Sequence, residues 1–173
     1  MASGKIFVIA DTHFGHEQIL NYEKRPFADV DIMDKELIKN WNSVVTSSDT
    51  VFHLGDVTFR NKEQTAEILS KLKGRKILIE GNHDTARSLK WWYDVGFAEV
   101  YKYPIIFNDF FVLSHKPPAY FNEATPYFYL YGHVHSSEMY RTITKQTACV
   151  SVERWDYKPV SLDKIIELNK LAT

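Results

Sequence analysis

What most constrains this chain is where its apolar runs stop. Residues 5–10, 50–54 and 75–80 are strand-length runs rich in Ile, Val and Leu, and they give way to Asp11, Gly55-Asp56 and Gly81-Asn82. Short apolar runs alternating with amphipathic segments predict an α/β domain. Between the runs, Met33, Leu37, Trp41 and Val45 recur at a spacing of four, which marks one face of a helix. A second helix is expected over residues 62–73, with Asn61 as its N-cap and Gly74 just past its end, and a third ends near Gly96. Asn108-Asp109 reads as a two-residue hairpin link between 105–107 and 110–114, after which the pairing is expected to turn antiparallel. Residues 127–131 and 147–153 complete the strands, and Pro159 with Ser161 introduces a terminal helix over 162–171. The Pro-containing stretch 116–126 is expected as a rim loop. With no repeat, low-complexity tract or linker, the 173 residues read as a single domain, 1–173.

Composition mainly excludes. Hydrophobic residues at 45% and charged residues at 25% are ordinary for a globular fold and unlike a disordered or collagenous chain. Twenty-one Lys plus Arg against 22 Asp plus Glu leave no basic excess, so strong nucleic-acid binding through counterion release is not expected. Cys149 is the lone cysteine, which rules out an intramolecular disulfide and a thiolate zinc site and reads as an inert buried thiol. The first apolar run is too short for a signal sequence or a membrane span, so a cytoplasmic location without a membrane partner is expected.

The polar residues at the strand ends carry the chemistry, because ligands of open α/β sheets bind outside the carboxyl ends of the strands. Asp11, His13, Asp56, Asn82, His83, His115, His133 and His135 all fall there. In a chain of this composition Asp-x-His is expected by chance about 0.4 times, whereas Gly81-Asn82-His83-Asp84 is expected about 0.001 times and Gly132-His133-x-His135 about 0.01 times. One histidine at a strand end is most often structural; five in ordered motifs reverse that reading. His53, inside a strand, keeps the structural one. His16 and Arg60 are candidate substrate contacts, although for Arg60, as for Lys116 and Arg141, a solvated surface charge is the better reading. The aromatic run 127–131 reads as a buried strand rather than a base-stacking platform. Trp91, Trp92 and Tyr93 read as packing residues or an exposed patch, and Trp155 as an anchor for the last helix.

The ordered set of Asp11-x-His13, Gly55-Asp56, Gly81-Asn82-His83-Asp84, a lone His115 and Gly132-His133-x-His135 resembles the calcineurin-like metallophosphoesterase family, and within it the small single-domain bacterial and phage phosphoesterases. The resemblance implies a four-layer αββα sandwich of two mixed β-sheets flanked by helices, with two divalent metal ions at the strand ends. It makes Asp56 the bridging ligand, places Asp11, His13 and His135 on the first ion, and places Asn82, His115 and His133 on the second. It also implies that His83 is a catalytic histidine that protonates the leaving oxygen, with Asp84 holding its imidazole. Two ions about 3.5–4 Å apart activate a water and clamp the attacking and leaving oxygens. Nitrogen and oxygen donors without thiolate favour manganese, with iron, zinc, nickel and cobalt compatible, over calcium or an all-oxygen magnesium site.

The expected function is therefore metal-dependent phosphoester hydrolysis by direct attack of activated water, with a phosphodiester favoured as substrate. A phosphomonoesterase on the same site is the first alternative, and a non-catalytic scaffold of the same fold is the second. The chain retains every motif position that such a scaffold would be free to lose. After Gly55-Asp56 it reads Val57-Thr58-Phe59-Arg60, without the Asp-Arg-Gly of serine/threonine protein phosphatases, which argues against that activity. The expected partner is a small phosphate ester, nucleotides among the candidates, and oligomeric state is left open.

Overall fold

A computed structural model describes residues 4–119 and 124–171. The elements run β1 (Ile6–Ile9), α1 (Ile19–Tyr22), α2 (Val30–Val44), β2 (Thr50–His53), α3 (Lys62–Lys71), β3 (Arg75–Ile79), α4 (Leu89–Val95), β4 (Glu99–Tyr101), β5 (Ile105–Phe107), β6 (Phe111–Leu113), β7 (Phe128–Tyr131), β8 (Thr147–Cys149), β9 (Val160–Ser161) and α5 (Leu162–Leu171). They build two mixed sheets with flanking helices, the architecture expected. One sheet has the order β4-β3-β2-β1-β9 and the other β5-β6-β7-β8.

Strand alternation explains how one sheet serves two cores. Phe7 and Ile9 of β1, Val51 of β2 and Leu78 of β3 face the helices, where they pack with Met33, Leu37 and Trp41 of α2, Ile68 and Leu69 of α3 and Trp92 of α4. Their neighbours Val8, Phe52, Ile77 and Ile79 face the second sheet and meet Phe111, Leu113, Phe128 and Leu130, with Ile165 of α5 closing this core. A strand buried on both faces must be apolar throughout, which is why β1 to β3 read as continuous runs.

Local signals were accurate where the partner was local. Asn61 caps α3 by accepting from Gln64 N–H, with Gln64 completing a capping box, and Gly74 beyond it has φ +83°. Three expectations need correction. Phe107 pairs with Phe111, so the hairpin loop has three residues, with Asn108 and Asp109 both at positive φ. Within the second sheet only β5–β6 is antiparallel; β6, β7 and β8 pair in parallel, because long connections return the chain in the same direction.

The strand expected over 147–153 ends at Cys149. There Val150 donates to the Tyr131 carbonyl of the second sheet while its own carbonyl accepts from Ala10 of the first, so the chain crosses between sheets and enters a 3-10 turn at Val152–Arg154. The expected rim loop lies partly outside the described residues. Among the described residues no helix is long and apolar enough to cross a membrane.

Candidate metal centre

The strand-end loops are held in a conformation that most residues avoid. Asp11, His13, Asp56, His133 and His135 have φ of 60°, 50°, 57°, 71° and 46°. Left-handed backbone at a residue other than glycine costs about 1–3 kcal/mol and persists only where the surroundings enforce it. Here the loops enforce it on one another: Asp11 N–H donates to Gly55 O (3.0 Å), His13 N–H to Asp56 O (3.1 Å) and Phe14 N–H to Val57 O (3.0 Å).

Two glycines are required by space rather than by φ. A Cβ on Gly81 would sit 2.2 Å from Asp56 Oδ1, and one on Gly132 would sit 2.4 Å from the Ala10 Cβ. Asp84 fastens two loops together, its carboxylate accepting from the backbone N–H of Asp56 (2.7 Å), Gly81 (2.8 Å) and Val57 (3.1 Å). Burial lifts this carboxyl to about 6 against those three donors. The expectation that Asp84 holds the His83 imidazole is therefore corrected, since both of its oxygens are spent on backbone amides.

Among the described residues, two groups of donors come from the strand-end motifs, and a third, Glu23, His135 and Glu153, shares His135 with the first. Asp11, His13 and His135 offer ligand atoms that lie within 4.8 Å of one another, and so do Asp56, His115 and His133. Asp56 lies between them, with Oδ2 3.6 Å from His13 Nε2 and 3.4 Å from His115 Nε2. In the second group, Asn82 Oδ1 (3.0 Å) and His133 Nδ1 (3.2 Å) also close on His115 Nε2. The His115 Nδ1–H donates to Leu54 O (2.7 Å), which turns Nε2 toward the cluster.

The electrostatics fit a cation. Asp11 Oδ1 and His13 Nε2 are buried and have no hydrogen-bond partner, a costly state for isolated polar atoms and an ordinary one for metal ligands. Burial raises Asp11 to about 6 and lowers His13 to about 2, which keeps the imidazole neutral with a free lone pair. Burial also opposes the charge on Asp56, but the hydrogen bond and charge of His115 outweigh it and hold the carboxyl well below the usual range.

Four residues around this cluster were not singled out from the sequence. Arg25, buried, donates to Asp11 O (2.7 Å), Thr12 O (2.9 Å) and Glu153 Oε1 (2.6 Å), while Glu153 Oε1 also lies 3.0 Å from His135 Nδ1. Burial works against a charged His135, but Glu153 prevails and raises it to about 9. Ser151 Oγ donates to Asp11 Oδ2 (2.6 Å). Arg25 and Glu153 are 128 residues apart, a pairing with no local signature.

The fourth residue is Phe59, 42% exposed at the mouth of the site. It stacks on His16 with centroids 4.0 Å apart and lies 5.2 Å from the His83 ring. His83 is half-exposed, its Nε2 3.9 Å from Asp56 Oδ2 and its backbone N–H donating to Asp56 Oδ1 (3.0 Å). His16 reaches the cluster through Nδ1, 3.3 Å from His13 Nδ1. Arg60 does not face it freely: its guanidinium pairs with Asp34 (2.9 Å) and Asp31 (2.5 Å), and it is only 20% exposed, so neither a substrate contact nor a solvated charge describes it. His53 stands outside both groups, its Nε2 2.9 Å from Thr12 Oγ1.

Comparison with known proteins agrees with this geometry. A family profile described as calcineurin-like phosphoesterase matches residues 4–165. An uncharacterized protein of Methanocaldococcus jannaschii is 39% identical over 97% of this chain and 93% of its own length. The gene 66 protein of Mycobacterium phage L5 is 42% identical over 43% of this chain and 37% of its own. Among solved structures, a protein of unknown function from Aquifex aeolicus superposes with a TM-score of 0.70 at 29% identity, covering 95% of this chain and 99% of that one. The nuclease MPE of Pseudomonas putida shares the fold at a TM-score of 0.52 and 18% identity, over 75% of this chain and 61% of its own. With the profile spanning nearly the whole chain and its donor residues gathered at the strand ends, this protein belongs to the calcineurin-like phosphoesterase family, whose chemistry is metal-dependent phosphoester hydrolysis.

Proposed function

We propose that the protein is a phosphodiesterase with a dinuclear centre: Asp11, His13 and His135 would hold one ion, Asn82, His115 and His133 a second, and Asp56, between the two groups, would serve both. The observation that carries this reading is the position of Asp56 Oδ2, 3.6 Å from the first group and 3.4 Å from the second. Four imidazoles, two carboxylates and one amide oxygen without thiolate suit manganese, iron, zinc, nickel or cobalt, and manganese is the favoured occupant. When bound, a pair of divalent ions supplies an activated water and neutralises charge that builds on the phosphoryl oxygens.

The chain supplies the rest. Asp84 fixes the two loops that carry Asp56 and Asn82, so the donors are preorganised before substrate arrives. His83, tethered to Asp56 through its own backbone N–H and open to solvent on its other side, protonates the leaving oxygen. His16 contacts the phosphoryl group from the mouth, backed by the Phe59 ring.

Preference for a diester is supported by a cavity of about 480 Å³ that begins at Asn82 and His115 and runs away from the cluster. It leaves space for a second ester arm, which a monoester lacks. The test compares hydrolysis of bis(p-nitrophenyl) phosphate and p-nitrophenyl phosphate by chelator-stripped protein, before and after manganese, with Asp56→Asn in parallel. Manganese-restored activity favouring the diester and lost in the variant supports the reading; preference for the monoester overturns its diester part, and activity indifferent to chelator overturns the centre.

A further inference from the structure

The same cavity carries a more specific inference, which rests on the phosphodiesterase reading. Its floor is formed by Val112 of β6 and Tyr129 of β7, directly paired across the second sheet. Their neighbours Phe111, Leu113, Phe128 and Leu130 face the core between the sheets, so strand alternation presents Val112 and the Tyr129 ring on the opposite side. Pro104, Pro117 and Pro118 form part of the wall, residues whose fixed φ makes it a preformed surface.

Two lysines line it from opposite sides: Lys102 follows β4 of the first sheet, and Lys116 follows His115 at the end of β6 in the second. Neither has a carboxylate salt-bridge partner among the described residues, in contrast to Lys62, Lys71, Lys90 and Lys164, each within 3.0 Å of one. The one carboxylate in the lining, Glu80, is 8% exposed and sits in the field of Lys102, so Lys116 is the less compensated of the two lysines. The cavity therefore combines a flat aromatic floor, two lysines of which Glu80 partly offsets Lys102, and direct continuity with Asn82 and His115. A volume of about 480 Å³ falls within the range of small-molecule sites.

We propose that this cavity receives one arm of a phosphodiester substrate that is nucleotide-like, its flat ring lying on the Val112–Tyr129 floor and a second phosphate, beyond the scissile one, held between Lys102 and Lys116. Ring stacking on an aromatic face and charge-assisted contacts from lysine are the two interactions that distinguish such an arm from a plain aryl ester.

The test uses the metal-loaded full chain and two substrates, a thymidine dinucleotide carrying a terminal phosphate and the same dinucleotide without it. The phosphorylated form is expected to have a kcat/KM about tenfold higher, the worth of one charge-assisted contact, and Lys102→Gln/Lys116→Gln is expected to abolish that preference. Equal rates in the wild type, or a preference that survives in the double variant, overturn the proposal. If neither dinucleotide is cleaved, the phosphodiesterase reading fails, and calorimetric binding of thymidine bisphosphate to the full chain, with and without chelator, decides the cavity by itself. Binding weakened about tenfold both by the double variant and by Tyr129→Leu sustains it, and no binding or unaltered binding overturns it. A thymidine oligomer identifies the source: faster cleavage than the dinucleotide assigns a polynucleotide, equal cleavage a free nucleotide, and both sustain the proposed chemistry.

Discussion

The two halves of the donor cluster are braced in different ways. Around Asp11, His13 and His135 the support is made of side chains: Ser151 on Asp11, Glu153 on His135, and Arg25 tying Glu153 to the backbone of residues 11 and 12. Around Asn82, His115 and His133 the support is mixed, with the Leu54 carbonyl receiving the His115 ring N–H and the side chains of Asp84 and Asp11 accepting from the backbone of Gly81 and His133. The second half also opens onto the cavity lined by Asn82 and His115. A ligand held by side chains can be retuned by a single substitution, whereas one held by a carbonyl changes only if the strand moves. His115 is thus the ligand whose support is least open to substitution.

This contrast can be broken in stages. Asp56→Asn strikes both halves and should have the largest effect, a loss of hydrolysis of about a thousandfold, with bound metal falling below that of the wild type. Activity assays paired with elemental analysis of the purified protein read both. His83→Ala belongs to neither half, so turnover should fall about a hundredfold with metal stoichiometry unchanged, and a parallel loss of metal would reassign the residue to ligation.

Glu153→Gln tests the asymmetry itself. It should weaken metal binding about tenfold to a hundredfold in the first half while sparing the second, so titration should resolve one weakened and one intact site. Uniform weakening would show that the halves are not independent. The same change leaves Arg25 buried without its counter-charge and should lower the melting temperature of the chelated protein.

The smallest effect lies beside the cluster. His53 titrates near 6.5 in an unfolded chain but is lowered to about 3 by burial in the fold. Between those values the unfolded chain holds the extra proton, so His53 makes stability fall as pH drops below 6.5, by up to about 1.4 kcal/mol per pH unit, and has no effect above it. In urea titrations of the chelated protein, His53→Gln should flatten that slope; an unchanged slope would assign the loss to other groups.

Much of this arrangement was legible in the sequence because it is short-range or periodic. The strand-end positions of Asp11, Asp56 and Asn82 follow from where the apolar runs stop, and the Asn61 cap needs only three neighbouring residues. What escaped was decided by tertiary partners. The run 147–153 predicts a strand with Glu153 at its tail, yet hydrogen bonds to Ala10 pull that stretch out of the second sheet and bring Glu153 to His135. The resemblance places Asp84 on the His83 ring, but the chain turns there and aims the carboxylate at three amides from two loops. Phe59 carried no signal, since an exposed aromatic beside a histidine cluster is visible only once three loops are folded together.

The left-handed backbone at Asp11, His13, Asp56, His133 and His135 has a consequence for how the site comes apart. None of these conformations is favoured by its own residue, and those of the first two loops are sustained by amides and carbonyls on one another. Release of one loop removes the constraint on the next, so those loops have no graded way to loosen. They should open together as one cooperative unit while the strands beneath stay paired, and a bound ion, by favouring only the closed form, would act as the latch of that unit.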